Sequence, residues 1–547
     1  MTLVSENLTG RRQWLGLVVL ALGLAMIVLD GTIVGVALPT IITDLHLDLT
    51  DAQWVNALYS VVFAALLLTA GSLGDRWGRR SMFVLGVAVF VAGSALAGVA
   101  GDATSLIAAR AVQGLGGAMV LPSSLSTVNA TFRGRDRAVA FGIWGAVMAG
   151  AAAVGPLLGG WLTSSFGWRW IFGVNLPIGV LVAVGALLLV DESRGGVRRR
   201  GMDVDGLLTS GLGFGLVVFG LIEGNSLGWW APKGPFSALG LTWPADAPVS
   251  VVPVALGLGT AFVALFVVWE RHRARVQRDA LLDLELFRVP TFSWGNITAM
   301  TVAAGEFALV FALPLYLMNV LGLSVMGAGW VLAAMAIGAF FSGASARHLS
   351  ARLGPPAVVV LGLTLEVLGA GAVALLIGPS TAPALVAAVL VVYGVGLGLA
   401  SAQLTSTVLA DVPPAASGAA SATQSTVRQL GSALGTAVAG TVLASRLGAG
   451  LVSQVAAVPG MDAGTAERVV AAVRDSAGSA LVGLRAQGAG GQLGAAGPQV
   501  TAVLEHGFAQ ATSWAIGCAV AAMVLGLVGA LRVRAVAVRR PTDPADA

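Results

Sequence analysis

The sequence predicts an all-α membrane protein of fourteen spans, arranged as two six-helix bundles with two extra transmembrane helices. Three observations lead there. Hydrophobic residues make up 56% of the 547 positions and charged residues only 11%, against roughly 25% charged in soluble domains. Apolar windows long enough to cross a bilayer, about 20 residues each, recur fourteen times along the chain. The arginines fall mainly in alternate links between those windows, as the positive-inside rule requires of a polytopic protein.

The windows lie at 14–38, 52–73, 81–100, 104–124, 138–162, 168–190, 204–222, 251–270, 291–319, 325–346, 357–378, 382–404, 416–445 and 509–532. The first is too long for a cleaved secretory signal and is read as a retained span. With the amino terminus inside, the cytoplasmic links carry 23 of the 31 Lys+Arg residues. An odd number of spans breaks that alternation, so the expectation is a cell-membrane protein with both termini cytoplasmic. The organisation that follows is a first six-helix bundle at 1–190, a linker with two additional spans at 191–290, a second six-helix bundle at 291–533 and a tail at 534–547. A long external loop at about 446–508, rich in Gly, Ala and Ser, interrupts the second bundle. Val469, Val470, Val473, Ala477 and Leu481 recur there at helical spacing, so one short amphipathic helix is expected and the remainder is expected to be mobile. The other long link, 223–250, carries Trp229, Trp230 and Trp243 and suits an interfacial cap.

Composition also removes whole function classes. The formal charge of +4 sits in short links between spans, which speaks for topology and against nucleic-acid binding. Cys518 is the single cysteine, leaving no intrachain disulfide or thiolate metal site. His46, His272, His348 and His506 are scattered without ligand spacing, so no metal is expected. No nucleophile–base set and no Gly-Lys-Ser/Thr phosphate loop is visible, which argues against a membrane enzyme and against direct ATP use. A non-transporting receptor leaves the charged residues within the spans without a purpose.

Those intramembrane charges are the candidate machinery. Asp30 lies near the middle of the first span, where an ionised carboxylate costs several kcal/mol unless protonated, paired or hydrated. Either a static ion pair or a proton carrier meets that cost. Arg110, in the fourth span, does not neutralise at accessible pH and must find a carboxylate or water, by pairing with Asp30 or by snorkelling outward. Glu306 occupies the first span of the second six, roughly opposite Asp30. Gln113, Glu366 and Arg428 are secondary candidates, and Glu223 is assigned to the outer interface. The link Gly71, Gly74, Asp75, Arg76, Gly78, Arg79 and Arg80 recurs weakly as Arg347, Ala351, Arg352 and Gly354. That internal symmetry places a transport site near the midplane, between the halves. Gly155, Pro156, Gly159 and Gly160 combine a kink with surfaces for close helix contact.

With these motifs in hand, the chain resembles the major facilitator superfamily, and within it the fourteen-span drug:proton antiporter family. The link at Gly71 to Arg80, the first-span run Leu29 to Pro39, the fourth-span set Arg110, Gln113, Gly114, Gly116 and Gly117, the fifth-span set Gly155 to Gly160, and Arg428, Gln429, Gly431 and Gly435 all match its patterns. Gly35 stands where the family usually has asparagine. The resemblance implies efflux of lipophilic, cationic drug-like compounds driven by a proton gradient, with no cofactor, by a chain acting as a monomer. Export of a specific self-made metabolite, antibiotic or lipid-like molecule is the alternative. It further implies proton coupling or substrate binding at Asp30, Arg110 and Glu306, and a leak-limiting seam at the fifth span. Asp75 is implied to cap a second-half helix and latch the cytoplasmic side.

Overall fold

The computed structural model describes residues 2–194, 203–238, 241–276, 278, 281–412 and 417–538, and nearly all of them are helical. Among the described residues, 13 helical stretches are long and apolar enough to cross a membrane. The helix Gly134–Phe166 covers the remaining expected window. Each of the fourteen windows therefore coincides with a helix.

The first half comprises α1 (Thr2–Leu45), α2 (Leu49–Trp77), α3 (Arg79–Gly98), α4 (Ala103–Thr131), α5 (Gly134–Phe166), and α6 (Trp170–Gly173) running into α7 (Asn175–Leu189) as one span. Then come α8 (Val204–Leu227), a two-stranded hairpin of β1 (Phe236–Ala238) and β2 (Leu241–Trp243), and α9 (Val251–Arg275). The second half comprises α10 (Pro290–Asn319), α11 (Val325–Leu353), α12 (Pro355–Leu376), α13 (Pro383–Val408), α14 (Ser417–Arg446) and, after three short helices, α18 (Gly497–Val538).

Local chemistry sets the starts of these helices. Asp48 and Asp51 form a reciprocal capping box on α2, Asp51 N donating to Asp48 Oδ1 at 2.6 Å. Asp102 caps α4 in the same way through Ser105 N at 2.8 Å. Each satisfies backbone donors that would otherwise face the membrane boundary unpaired. Helices α10, α12 and α13 begin on Pro290, Pro355 and Pro383, where a missing N–H is harmless. The repeated link shows its shape here. Gly78 (φ 122°) joins α2 to α3, and Gly354 (φ 81°) joins α11 to α12. Both halves turn on a backbone conformation that strains any side chain.

Packing repeats as well. α1 lies on α5 and α7, and α4 on α2 and α3. Their counterparts follow suit, α10 on α14 and α18, and α13 on α11 and α12. The halves meet along two seams, α5 against α11 and α2 against α14. Large apolar side chains such as Leu188, Leu208, Val268, Phe341 and Leu375 stay exposed on the flanks, the arrangement a lipid surface demands.

Helix α8 straps the second seam. Trp54 of α2 donates to Glu223 at 2.9 Å. On the other side Thr441 of α14 donates to the Leu221 carbonyl at 2.6 Å, and Asn225 donates to the Thr441 carbonyl at 3.0 Å. One extra span thus holds both halves at the arginine-poor end.

The 446–508 segment departs from expectation. It folds into α15 (Ala449–Ala456), α16 (Ala463–Asp475) and α17 (Ala480–Gln487), and buries Leu451, Val455, Val470, Val473 and Leu481 in the same apolar cluster as Leu504 and Phe508 of α18. Ala477 (φ 49°) and Gly478 (φ 93°) break the expected single amphipathic helix into two. Arg485 then docks this cap, pairing with Glu505 at 2.6 Å and donating to the Val320 carbonyl at 2.6 Å. The abundance of small residues suggested a loop, but a few well-spaced aliphatics suffice to anchor it.

The fifth-span motif lies in the α5–α11 seam and against α1. A Cβ on Gly155 would overlap Thr32 Oγ1, and one on Gly159 would lie 3.0 Å from the Ile33 carbonyl oxygen. Gly160 meets α11, where a Cβ would sit 3.3 Å from the Val325 carbonyl oxygen and 3.5 Å from the Met326 Cα. Gly159→Leu should therefore overpack α1, at a cost of about 1–3 kcal/mol, and block or uncouple transport. Thermal unfolding and a vesicle flux assay check this; unchanged melting together with unchanged flux would show that the seam does not need glycine.

Candidate transport site

In the first half five helices converge on one buried polar cluster. Asp30 of α1 and Arg110 of α4 form an ion pair with both side chains 1% exposed. Arg110 Nη1 also donates to Gln113 Oε1 at 2.8 Å, and its Nε donates to the Val55 carbonyl of α2 at 3.2 Å. The guanidinium lies 4.3 Å from the centre of the Tyr59 ring, within cation–π range. Gln113, one turn along α4 from Arg110, donates to Asp30 Oδ1 at 2.8 Å and to Ser94 Oγ of α3 at 2.8 Å. Asn175, the first residue of α7, donates to Asp30 Oδ1 at 3.1 Å and to Ser94 Oγ at 3.1 Å. Arg110 therefore does not snorkel: it lies buried among partners.

In the second half the charges are arranged differently. Glu306 of α10 pairs with Arg428 of α14 at 3.3 Å, with Glu306 17% and Arg428 43% exposed. This pair reaches accessible space, as the first does not. Asp30 and Glu306 occupy matching places, each on the first helix of its half and shortly before a helix-interior proline, Pro39 or Pro314. Their arginines do not match, coming from the fourth helix of one half and the fifth of the other. Glu366 of α12 is fully buried.

The Gly71–Arg80 link is tied within the first half. Arg79 Nε donates to Asp75 Oδ1 at 2.8 Å, and Arg79 Nη1 donates to the Ser126 carbonyl of α4 at 3.2 Å. Gly71 and Gly74 face Pro122 and Ser123 of α4. The resemblance implied a second-half partner for Asp75; the partner present here is Arg79, one turn away. Glu192, beyond the end of α7, supplies a tie that the sequence did not announce. It accepts from the backbone N–H of Arg80 at 3.0 Å and of Ser81 at 3.1 Å, and from Ser81 Oγ at 2.5 Å, capping α3. Partial burial acts to raise its pKa, but these hydrogen bonds and the Arg80 charge outweigh it and hold the carboxyl below the usual glutamate value.

Of the sequence candidates, then, Asp30, Arg110 and Gln113 come together in one cluster, and Glu306 and Arg428 in another. Ser94, Asn175, Tyr59 and Glu192 were missed. Neutral polar residues in an apolar run carry no periodic signal, and nothing along the chain shows that Glu192 lies beside α3.

Two six-helix halves, each holding a charge pair among its helices and sheathed in apolar side chains, define a polytopic membrane protein of the transporter class. The chain belongs to the Major Facilitator Superfamily, whose family model matches residues 20–436. It is similar to the tetracenomycin C resistance and export protein of Streptomyces glaucescens, 33% identical over 447 residues that span 80% of this chain and 77% of that protein. It is also similar to the multidrug resistance protein Stp of Mycobacterium tuberculosis, 34% identical over 442 residues, 81% and 78% of the two chains. In fold it resembles a bacterial homolog of the human lysosomal transporter Spinster, solved inward-facing and unoccupied, with a TM-score of 0.61 at 19% identity, covering 96% of this chain and 98% of that one.

Two outcomes follow from these ties. Asp30→Asn leaves the buried Arg110 uncompensated and should cost about 3–5 kcal/mol, whereas the double change Asp30→Leu with Arg110→Met should cost less than either single change. A double-mutant cycle on thermal unfolding measures this, and strictly additive costs would show that the two residues do not interact. Glu192→Gln should weaken the start of α3 by about 0.3–1 kcal/mol at neutral pH. Because the folded pKa is lowered, the stabilisation from Glu192 is full above the usual glutamate range and is lost as pH falls through the folded value. The wild-type advantage over the glutamine variant in hydrogen exchange at the start of α3 should shrink accordingly in acid.

Proposed function

We propose that this chain exports lipophilic, cationic drug-like compounds in exchange for protons, acting as a monomer in the cell membrane with both termini in the cytoplasm. The observation that carries the reading is a charge pair in each half, with its acid on the first helix of that half. One is closed, around Asp30 and Arg110; the other is partly accessible, at Glu306 and Arg428. A carboxylate held at membrane depth is costly, and its natural use is to take up and release a proton or to meet a cation. Asp30 with Arg110 is the coupling group of the first half, and Gln113 fixes its geometry. Glu306 is the acid that a substrate cation can reach. Arg428 neutralises Glu306 in the arrangement seen and would yield that carboxylate to a substrate cation.

The family membership and the names of the two relatives support export and resistance. Gly71 to Arg80 serve gating, with Asp75 in the arginine network of the link, and Gly155, Pro156, Gly159 and Gly160 keep the α5 seam tight against leak. No cofactor takes part; the proton gradient is the energy source. A second reading, export of one self-made metabolite or antibiotic by the same machinery, is favoured by the relative named for tetracenomycin C export.

Reconstitution tests both readings. In vesicles with an imposed pH gradient, cationic lipophiles should evoke proton movement, neutral and anionic ones much less, and Asp30→Asn should abolish it. A response to a single compound class of the antibiotic type would favour the second reading. Full proton-driven flux by Asp30→Asn would remove that residue from coupling, and no response to any compound would overturn antiport.

A further inference from the structure

One charged group in the second half is left out of its pairing. Glu366 lies mid-way along α12, wholly buried, and neither carboxyl oxygen meets a hydrogen-bond partner among the described residues. Tyr393 of the adjoining α13 is equally buried, and its hydroxyl is unpartnered too. Glycines bring the two helices this close. A Cβ on Gly396 would lie 2.5 Å from the Glu366 backbone nitrogen and 3.0 Å from its Cγ, and one on Gly369 would lie 2.7 Å from the Tyr393 Cα. The glutamate stem is laid across bare backbone.

The charged groups acting on this pocket are few. α10, which carries Glu306, packs on α13, which carries Tyr393, so the charges of Glu306 and Arg428, ion-paired to each other, fall on this pocket. α13 adds no ionisable side chain besides Tyr393. α18, also packed on α12, carries Glu505 and His506 towards one end, Arg532 and Arg534 towards the other, and Cys518 between. α11 carries Arg347, His348 and Arg352 in its last turns. Two carboxyls thus share one guanidinium. An unpartnered carboxylate in an apolar interior is far costlier than the neutral acid, so whichever carboxyl lacks the guanidinium holds a proton.

We propose that Glu366 is a proton store of the second half, linked to Glu306 through the single guanidinium of Arg428. In the arrangement seen, Arg428 neutralises Glu306 and Glu366 keeps its proton. When a cationic group binds Glu306, it replaces Arg428 there. The freed guanidinium turns to Glu366, the O–H bond of the acid breaks, and the proton passes to water while its electron pair stays on the carboxylate. One positive charge enters the cluster and one leaves, and nothing else is consumed. The ligand class is a lipophilic monocation. This inference rests on the antiport reading and assigns part of it to residues outside the Asp30 cluster.

Infrared difference spectroscopy on the purified full chain tests it, with tetraphenylphosphonium as the probe. The carbonyl band of a protonated carboxyl should be present at neutral pH and lost in E366Q. It should bleach on adding the probe, with one proton released per probe bound, and E306Q, which frees Arg428 for Glu366, should already lack the band at neutral pH and show no response to the probe. A band indifferent to E366Q, or one that survives both the probe and a rise in pH, would overturn the store. Bleaching by a rise in pH but not by the probe would uphold the store and refute the lipophilic-cation reading, so the two failures are distinct. If E366Q does not fold, Glu366→Asp must shift the band for the proposal to stand.

Discussion

The buried ion pair of Asp30 and Arg110 is the constraint on which the first half depends. Two charges removed from water this completely are tolerable only when nearly every remaining lone pair and proton is met. The fold meets that demand from five helices: the Val55 carbonyl and the Tyr59 ring from α2, Ser94 from α3, Gln113 from α4 and Asn175 from α7, around Asp30 on α1. None of these elements can shift alone without stranding a charge. The first half is therefore suited to move as one body, with its relative motion against the second half taken up at the seams.

Helix α1 connects that constraint to the seams. Asp30 is followed at once by Thr32 and Ile33, the residues against which Gly155 and Gly159 of α5 are pressed. α5 in turn lays Gly160 on α11 of the second half. A change at the acid is thus two residues from a surface where one added carbon would collide, and one helix from the opposite half. Packing this tight transmits small displacements rather than absorbing them. On the other flank, hydrogen bonds from α8 to both α2 and α14 oppose separation at the arginine-poor end. One of the two extra spans beyond the six-plus-six plan, α8, thus acts as a brace across one seam.

Much of this was legible in the sequence, for identifiable reasons. Fourteen apolar windows and alternating arginines report directly on solvent, and each window coincides with a helix. Asp30, Arg110 and Glu306 stood out because a charge at membrane depth is rare enough to be conspicuous in one dimension. Pairing was less legible. Arg428 and Glu306 were both named, yet nothing in their separation along the chain says they meet. Ser94 and Asn175 were invisible, because a small polar residue costs little to place in a span and gains its meaning only from what it faces. The 446–508 segment was misjudged because glycine and alanine dominate its composition, while burial there is decided by fewer than a dozen aliphatics.

The two halves share a plan but differ in how completely their polar groups are satisfied. The link between the second and third helices shows the difference in miniature. Gly78 and Gly354 both adopt the turn that the repeat requires, but Asp75 has only Ala351 as its counterpart, and Glu192 caps α3 whereas α12 begins on Pro355 and Pro356, which have no N–H to cap. The membrane clusters differ in the same sense. Among the described residues, Asp30 is met by arginine, glutamine and asparagine, Glu366 by no hydrogen-bond partner, and Glu306 by an arginine that is itself half in the open. A saturated network holds one arrangement; the proposed exchange of Arg428 between two acids would give the second half a pairing that can change. The closed cluster and the partly open one lie in opposite halves of the same pseudo-symmetric fold.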